Sequence, residues 1–533
     1  ITERKITMKK KLMSLVLAAI MILSLAACTG NTQSGNDVPE NGPTSGEKLF
    51  AEGTTFKVLI DSHASWPYDE NWPMWKLFEE ATGAKFDVLA VPSVDMATKL
   101  PLMMTDPDDL PDMMFFISAK HFADTYGPDG AFASVSENLD KMPNYKAFWE
   151  SLPEGERNDN MILRISGDGN IYAPPNYGVQ TVGNTRTWMY RKDIFEKHNL
   201  KTPETTDELY EIAKKLKELY PDSYPLSLRS GFGNMNLMGP MWKEHFALNP
   251  YFDYNDNKWH YGIVEPEARE MVEFFRKLYT EELITPNFFT IPALSWEELV
   301  NTDRGFMMLE YLLRLDHFNI PAREQNPEYT WASMMPPKAT NGKGKNEIGN
   351  QSYELAGYVV CNTGDEEMMA NSFKLLDWLY SPEGIEFQSW GKEGVTYEEV
   401  DGKKKWLVDE FGSPYADLGI GTPGLYQVVK TEANEALYSE EQGINGEFCR
   451  KFQASRINPF NVLSFPEEVA TERGDLYTAI NQYVEEMVSK FIYGMEPMEN
   501  WDKFVDEVNS MGVERLLELY TERYNDVLNN IGW

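Results

Sequence analysis

A repeated alternation of strand and helix patterns after the first fifty residues constrains the fold more than any other feature of this chain. Residues 55–60 read as a short strand, residues 72–82 carry apolar side chains at helical spacing, and residues 85–91 return to a strand pattern. Residues 92–104 suggest another helix, and the apolar run 113–117 is typical of a buried parallel strand. Together these elements predict an α/β fold with helices on both faces of the sheet.

Three further segments are predicted to be helical. Thr205 and Glu208 have the spacing of a capping box, in which each side chain satisfies a free amide at a helix start. Thr363 and Glu366 repeat that spacing, and an apolar stripe follows both pairs. The chain from about 474 to 529 reads almost wholly as helix.

Residues 1–27 have the three-part layout of an export signal. Lysines at 9–11 precede an apolar run at 12–25 and a few small residues. A membrane-spanning helix needs about 20 apolar residues, so the shorter run favours a cleaved signal peptide. Leu25-Ala26-Ala27-Cys28 resembles the lipobox of bacterial lipoproteins, in which the cysteine is lipidated and becomes the new N-terminus. The alternative is an ordinary secretory signal with a chance cysteine.

Residues 28–53 are predicted to comprise the lipidated cysteine and a flexible tether. Between 29 and 48 the chain is rich in Gly, Ser, Asn, Thr and Pro, which cannot bury apolar surface. Besides Cys28 the chain holds only Cys361 and Cys449. A disulfide framework is therefore excluded, and a single bridge stays open.

The charge of the chain narrows the choice of ligand. Removing residues 1–27 takes away five Lys or Arg and one Glu, which changes the formal net charge from −35 to −39. Such a charge repels nucleic acid, and the one dense basic cluster is Lys403–Lys405. The sequence therefore predicts no nucleic-acid partner and favours a neutral or weakly charged ligand.

Four motifs, in this order and spacing, carry a resemblance to a known family. They are Leu110–Phe115, Met189–Phe195, Leu375–Gly384 and Gly391–Tyr397. With Cys28, they resemble the maltose-binding-protein-like extracellular solute-binding proteins of carbohydrate ABC importers, and especially the long lipoprotein branch of that family. The resemblance covers nearly the whole chain after the signal peptide.

The resemblance implies a type II periplasmic-binding-protein-like fold, with two α/β lobes joined by crossing strands and a ligand cleft between them. Lobe one would comprise residues 54–178 plus 350–410, and lobe two residues 179–349 plus 411–533. The protein would act as a monomer that captures an oligosaccharide and delivers it to the transmembrane subunits of an ABC permease. Its location would be the extracellular face of the cytoplasmic membrane, anchored through the lipid on Cys28.

No metal or cofactor is expected. Many members of the branch carry a calcium loop after the helix that corresponds to 206–220, but residues 220–226 lack the alternating oxygen ligands. Residues 253–258 have ligands at alternate positions, yet Lys258 stands where an EF-hand loop needs Gly. We interpret this second segment as a polar turn.

Sugar sites combine flat aromatic platforms with planar hydrogen-bonding groups, and ligands of open α/β sheets lie beyond strand ends. These rules, together with the resemblance, predict eleven ligand contacts: Trp66, Phe116, Lys120, Gln180, Arg186, Arg229, Trp242, Glu310, Tyr311, Tyr353 and Trp390. Trp390 and Trp242 are the preferred aromatic platforms. A core position for Trp66, an interlobe ion pair for Arg186, and a solvated helix start for Glu310 and Tyr311 are the alternatives.

Two other functions stay open from the sequence. A secreted glycoside hydrolase would use a carboxylate pair, but with 84 Asp and Glu such pairs carry no information. The chain has no Gly-x-Ser-x-Gly elbow and no His-Glu-x-x-His motif, so we predict no catalytic residue and no enzyme activity. A peptide or another nutrient could replace the oligosaccharide.

Overall fold

The computed structural model of the protein describes residues 48–530, apart from 64–66, 107–109, 179–185, 351–355, 409–413, 421–424, 426 and 437. The predicted signal peptide and Cys28 lie outside the described residues. So do three of the predicted ligand contacts, Trp66, Gln180 and Tyr353.

Strands and helices alternate along the described chain. The strands are β1 (Thr54–Ser62), β2 (Ala84–Pro92), β3 (Met113–Phe116), β4 (Arg186–Arg191), β5 (Pro250–Asp253), β6 (Lys258–Tyr261), β7 (Met307–Tyr311), β8 (Trp331–Ser333), β9 (Ile348–Asn350), β10 (Gly357–Val360), β11 (Tyr397–Val400), β12 (Lys403–Trp406) and β13 (Gln453–Ile457). The helices are α1 (Pro73–Thr82), α2 (Ser93–Met103), α3 (Ala119–Tyr126), α4 (Pro143–Glu150), α5 (Glu154–Ile162), α6 (Lys192–Lys197), α7 (Thr206–Leu219), α8 (Gly231–Met238), α9 (Pro266–Thr280), α10 (Ala293–Asn301), α11 (Arg314–Arg323), α12 (Glu366–Trp378), α13 (Pro382–Trp390), α14 (Thr431–Glu435), α15 (Glu440–Arg450), α16 (Glu467–Ile492), α17 (Trp501–Ser510) and α18 (Val513–Asn530).

The first sheet has the strand order β10-β3-β1-β2. β1 pairs in parallel with β2 and with β3, whereas β10 pairs antiparallel with β3. Helix α1 ends at Gly83, whose φ of 84° lies in the left-handed region that strains residues with a side chain. The predicted β-α-β unit and the buried parallel strand after it are confirmed.

The second sheet has the order β7-β4-β8, and β4 pairs antiparallel with both neighbours. The β4–β7 register sets Arg186 opposite Tyr311 and Thr187 opposite Glu310. One face of this sheet is buried against α10 and α11, where Met189, Met308 and other apolar side chains form a separate core cluster. The sheet therefore has a dry face and a polar end.

The helix starts test the two predicted capping boxes. Thr205 Oγ1 accepts a hydrogen bond from Glu208 N at 3.2 Å, so that cap is confirmed. The cap at Thr363 is wrong, because α12 begins after Asp365, whose carboxylate accepts from the amides of residues 367 and 368, each at 3.1 Å. An ionised carboxylate that satisfies two amides suits the positive end of a helix better than one hydroxyl.

The last part of the chain is helical, as predicted, and comprises α16, α17 and α18. α16 contacts α9, and α18 contacts both β6 and α5. Among the described helices, none is long and apolar enough to cross a membrane. Cys361 and Cys449 are both free thiols, and they are buried in two different apolar clusters.

A buried polar network joins this C-terminal segment to the chain around α3. Lys120 Nζ donates to Asp124 Oδ1 at 2.7 Å, to Ile165 O at 3.1 Å and to Ser464 Oγ. Ser464 Oγ donates to Asp124 Oδ2 at 2.6 Å, and Arg523 Nε donates to Ser464 O at 2.6 Å. We call these five residues the C-terminal network. Its donors and acceptors satisfy one another, which is the condition for burying an ammonium group.

The C-terminal network predicts an alkaline gain in stability. Burial lowers the pKa of Lys120 to about 8, and the opposing effect of Asp124 does not restore the usual value. Between pH 8 and about 10.5 the unfolded chain therefore holds a proton that the folded protein has released. In that window this group adds stability as the pH rises, and below pH 8 the gain is absent.

The measurement is the melting temperature of the wild type and of Lys120→Met at pH 7, 8, 9 and 10. The melting temperature of the wild type should rise relative to that of Lys120→Met as the pH increases above 8. Lys146→Met, which removes an exposed lysine paired with Glu150, is the matched control and should show no such shift. Parallel curves for wild type and Lys120→Met would contradict the prediction.

Candidate functional site

The carboxyl ends of β1, β2 and β3 meet at one edge of the first sheet, which we call the first-sheet edge. The buried carboxylate of Asp61 accepts from Ser93 Oγ at 2.6 Å and from Ile117 N at 3.1 Å. Ser62 Oγ accepts from Tyr68 N at 2.9 Å. The Asp61 carboxylate thus fixes the segments after β2 and β3, and the Ser62 hydroxyl fixes the segment after β1, at the place where open α/β sheets bind ligands.

An aromatic surface lies beside the first-sheet edge. The Tyr68 ring centroid is 5.8 Å from that of Trp72 and 5.7 Å from that of Trp75. Residues 67–71 line an open cavity of about 500 Å³. Burial, followed by the charge of Glu70 and other nearby carboxylates, raises the pKa of Tyr68, which stays a neutral hydrogen-bonding phenol. The surface therefore combines a half-buried ring with acceptor oxygens.

The polar end of the second sheet brings together four of the predicted contacts. Glu310 is fully buried, and its carboxylate accepts a hydrogen bond from Arg229 Nε. Arg186 Nε lies 3.5 Å from Glu310 Oε1, and the Arg186 guanidinium lies 4.6 Å from the Tyr311 ring centroid. We call Arg186, Arg229 and Glu310 the arginine cluster. Arg186, Glu310 and Tyr311 meet because β4 and β7 are paired in this register, and Arg229 joins them from the chain before α8.

Asn234 supports the arginine cluster from α8. Its side-chain amide donates to Arg229 O at 2.7 Å, and its carbonyl oxygen accepts from Arg186 Nη1 at 3.0 Å. α8 can start here because Gly231 has no side chain, since a Cβ at that position would lie 2.3 Å from the Phe289 ring. The Gly-rich turn after Arg229 therefore orients the cluster, although the sequence analysis did not single out Asn234.

Trp296 and its neighbours extend the arginine cluster towards α10 and α11. The Trp296 ring lies 5.0 Å from the Arg229 guanidinium and 5.7 Å from that of Arg314. Arg314 Nη1 donates to Glu297 Oε1 at 2.6 Å. Trp296 was not predicted from the sequence, because an aromatic residue at helical spacing is usually a core residue. In the structure it is fully buried on α10. Its contribution is to hold two guanidinium groups against one ring.

Trp390 and Trp242, the preferred aromatic platforms, are packed into the interior. Trp390 is 2% exposed and stacks on Trp406 with ring centroids 4.7 Å apart. Trp242 is also 2% exposed and contacts Phe274 at 5.8 Å between centroids. Neither offers a free face to a ligand in this structure, because each terminates a helical segment with its ring turned inward. Their packing favours a core role, and ligand contact by either stays a prediction.

Phe116 and Lys120 are likewise buried. Phe116 packs between α3 and the first sheet, with its ring centroid 4.6 Å from that of Phe122. Lys120 has its ammonium committed to the C-terminal network. Both follow or end β3 as the sequence indicated, but their side chains point into the protein, which an α/β pattern alone does not reveal.

The segment 253–258 forms the turn of the β5–β6 hairpin, in agreement with its interpretation as a polar turn. Asp253, Asp256 and His260 bring one ligand atom each within 4.8 Å of one another. Lys243 Nζ already lies 3.7 Å from Asp253 Oδ2 and 2.9 Å from Glu265 Oε2. The Lys243 ammonium group therefore supplies the positive charge beside Asp253 and Glu265.

Because Trp390 is buried, its substitution is expected to lower the stability of the protein and not to act directly on ligand binding. Trp390→Ala should lower the free energy of unfolding by about 3–5 kcal/mol, because it removes a large buried side chain and leaves a cavity. Leu294→Ala, at a side chain that is 81% exposed, should change it by less than about 0.5 kcal/mol. Urea unfolding followed by circular dichroism measures both. A fully stable Trp390→Ala protein would show that the ring is not part of the core.

Comparisons with known proteins agree with this architecture. Residues 50–386 match the family described as bacterial extracellular solute-binding protein. Lipoprotein LipO of Bacillus subtilis is 22% identical over 542 residues, covering 98% of this chain and 99% of its own. The polygalacturonan/rhamnogalacturonan-binding protein YtcQ of the same organism is 21% identical, covering 96% of this chain and 98% of its own.

A solved structure shares the fold. It is an HMO-binding, ABC-transporter-associated solute-binding protein from Bifidobacterium longum infantis, with a TM-score of 0.71 and 17% identity, covering 89% of this chain and 98% of its own. The family match spans more than half of the present chain. This protein therefore belongs to the bacterial extracellular solute-binding proteins of ABC transporters and has their two-lobe α/β fold.

Proposed function

We propose that this protein binds an oligosaccharide between the first-sheet edge and the polar end of the second sheet, and presents it to an ABC permease. The observation that carries the proposal is the pairing of the partly exposed Tyr311 ring with Arg186 and Asn234. A ring face suits the C–H surface of a sugar, and planar donors and acceptors suit its hydroxyls. Tyr68 with its neighbouring carboxylates offers the same combination in the other sheet.

The names of similar proteins support a glycan ligand. YtcQ is named for polygalacturonan and rhamnogalacturonan, and the Bifidobacterium protein is named for HMO. Both match this chain over nearly its whole length.

Glycoside hydrolase activity is a weaker hypothesis for these residues than oligosaccharide binding. Glycosidases use two carboxyl groups placed on either side of the scissile bond, one of them a proton donor. In the arginine cluster and its surroundings, Glu310 is paired with two arginines and Glu297 with Arg314. Both carboxylates are therefore engaged in ion pairs with arginines, an arrangement that favours a binding region over a catalytic pair.

We propose that binding closes two lobes by a hinge motion, as in the family's fold. In the division suggested by sequence, residues 427–434 would belong to lobe two. Gln427 N, however, donates to Gln388 Oε1 at 2.6 Å, and Lys430 N donates to Ser389 Oγ at 2.8 Å, both on α13. We therefore assign this stretch to lobe one. The C-terminal network would then connect lobe one to the C-terminal helices of lobe two.

We also propose that the mature protein is anchored to the outer face of the membrane through a lipid on Cys28. The basic, apolar and small-residue layout before Cys28 supports this, as does the name of LipO. The Gly- and Ser-rich stretch after Cys28 would allow the folded body to move relative to the anchor.

The oligosaccharide proposal is tested by calorimetry with a panel of tri- to hexasaccharides, neutral and acidic, and with a mixture of short peptides. At least one saccharide should bind, and Tyr311→Ala should weaken that binding at least tenfold without lowering the melting temperature by more than a few degrees. Tyr483→Ala, at a partly exposed tyrosine of α16, is the matched control and should leave affinity unchanged. Heat from peptides alone would remove the carbohydrate assignment.

The anchor is tested in a bacterial host by fractionation and by labelling with a palmitate analogue. The wild type should label and sediment with membranes, whereas Cys28→Ala should lose the label and leave the membrane fraction. Cys449→Ala, at a buried free thiol, should behave as the wild type. Membrane association of an unlabelled wild type would rule out the lipid.

A further inference from the structure

The arginine cluster carries an excess of positive charge. Among the described residues, the ion pairs of Arg186 and of Arg229 both lead to one carboxylate, that of Glu310. Arg314 is matched separately by Glu297. Two guanidinium groups against one carboxylate leave one unit of positive charge at the polar end of the second sheet.

This excess charge is largely removed from water. The Arg186 and Arg229 side chains are 11% and 18% exposed, and that of Glu310 is 1% exposed. Arg186 Nε is buried and has no hydrogen-bond partner within the described part of the chain. A buried cation without an equal counter-charge is costly, so a further anion at this place would be bound with a gain.

The overall acidity of the protein does not cancel this local charge. Charges more than about 8–10 Å away through solvent are largely screened at physiological ionic strength, whereas partly buried pairs are not. The formal net charge of −35 therefore slows the approach of an acidic ligand but does not decide what the arginine cluster holds. This reverses the preference for a neutral ligand that the composition alone suggests.

The geometry also specifies the type of anion. A guanidinium group presents a planar fork of N–H donors that matches a carboxylate in two parallel hydrogen bonds. The Arg186 guanidinium lies over the ring of the partly exposed Tyr311. The guanidinium takes one face of that ring, so a pyranose would contact the rest of the ring with its C6 carboxylate directed to the arginine cluster.

We propose that the arginine cluster is a subsite for a uronic acid, so that the ligand of this protein is an acidic oligosaccharide with at least one free carboxylate. This rests on the proposed oligosaccharide function and narrows its substrate class. Glu310 neutralises one of the two guanidinium groups and the other supplies the excess charge, while Asn234 fixes the orientation of the Arg186 fork.

The experiment compares acidic oligosaccharides with their own carboxyl-reduced forms, which differ only at C6. The probes are an oligogalacturonide, an oligomannuronate and a glucuronoxylo-oligosaccharide. The binding of each to the protein from residue 29 onward is measured by calorimetry. At least one acidic probe should bind at least tenfold more tightly than its reduced form. An equal or higher affinity for the reduced form would overturn the uronic-acid subsite.

Substitutions in the arginine cluster test whether the preference for acidic oligosaccharides arises there. Arg229→Gln should reduce the preference for the acidic form over its reduced form to less than threefold. It leaves Glu310 paired one-to-one with Arg186, so the fold is retained, and Arg229→Lys should recover part of the preference. Arg515→Gln removes the same charge from the exposed surface of α18 and should have no effect. A preference for the acidic form that survives Arg229→Gln would place the subsite elsewhere.

The outcomes separate this proposal from the one it rests on. If a neutral saccharide of the earlier panel binds and none of the acidic probes does, the uronic-acid subsite is wrong and the oligosaccharide function stands. If no saccharide of either set binds, the oligosaccharide function fails, and the subsite fails with it.

Discussion

The antiparallel pairing of β4 with β7 sets Arg186 opposite Tyr311 and Thr187 opposite Glu310, and the polar end of the second sheet depends on this register. A shift of one residue would turn Glu310 to the other face, where Met307 and Leu309 pack among apolar side chains. Burial of that apolar face therefore also specifies the position of a charged group. The same strands that build the core of the second sheet place Arg186 against the carboxylate of Glu310, and Arg229 reaches that carboxylate from the chain before α8.

Buried charge recurs at the points where distant parts of the chain meet. Lys120 and Asp124 meet Ser464 and Arg523 in the C-terminal network. Arg456 donates to both carboxylate oxygens of Asp159 on α5, at 2.7 and 2.8 Å. Networks of this kind are directional and break when their members move apart, whereas apolar contacts can slide. They fix how the C-terminal segment is seated on the chain around α3 and α5.

The family resemblance, the α/β class, the first three strands and the helical C-terminus could all be predicted from sequence. Each has a local signal, such as the apolar run of β3 or the Thr205 cap. The grouping of residues at the candidate site was predicted in part. Arg186, Arg229, Glu310 and Tyr311 lie together, because residues at strand ends are drawn to one edge of a sheet. Trp390 and Trp242 were expected to face a ligand but are packed in the interior. The sequence does not indicate which way an aromatic ring at the end of a helical segment points.

The sequence by itself determined the acidic character of the chain, the alternating elements and the absence of a recognisable catalytic motif, because these follow from residue type and spacing along the chain. Only the tertiary structure decided that Glu310 faces two arginines, that Asn234 and Trp296 support them, and that the ammonium of Lys120 is buried. Those facts depend on contacts between residues tens to hundreds of positions apart. Local spacing carries no record of such contacts, and the charge balance at one point of the fold cannot be read from the net charge of the whole chain.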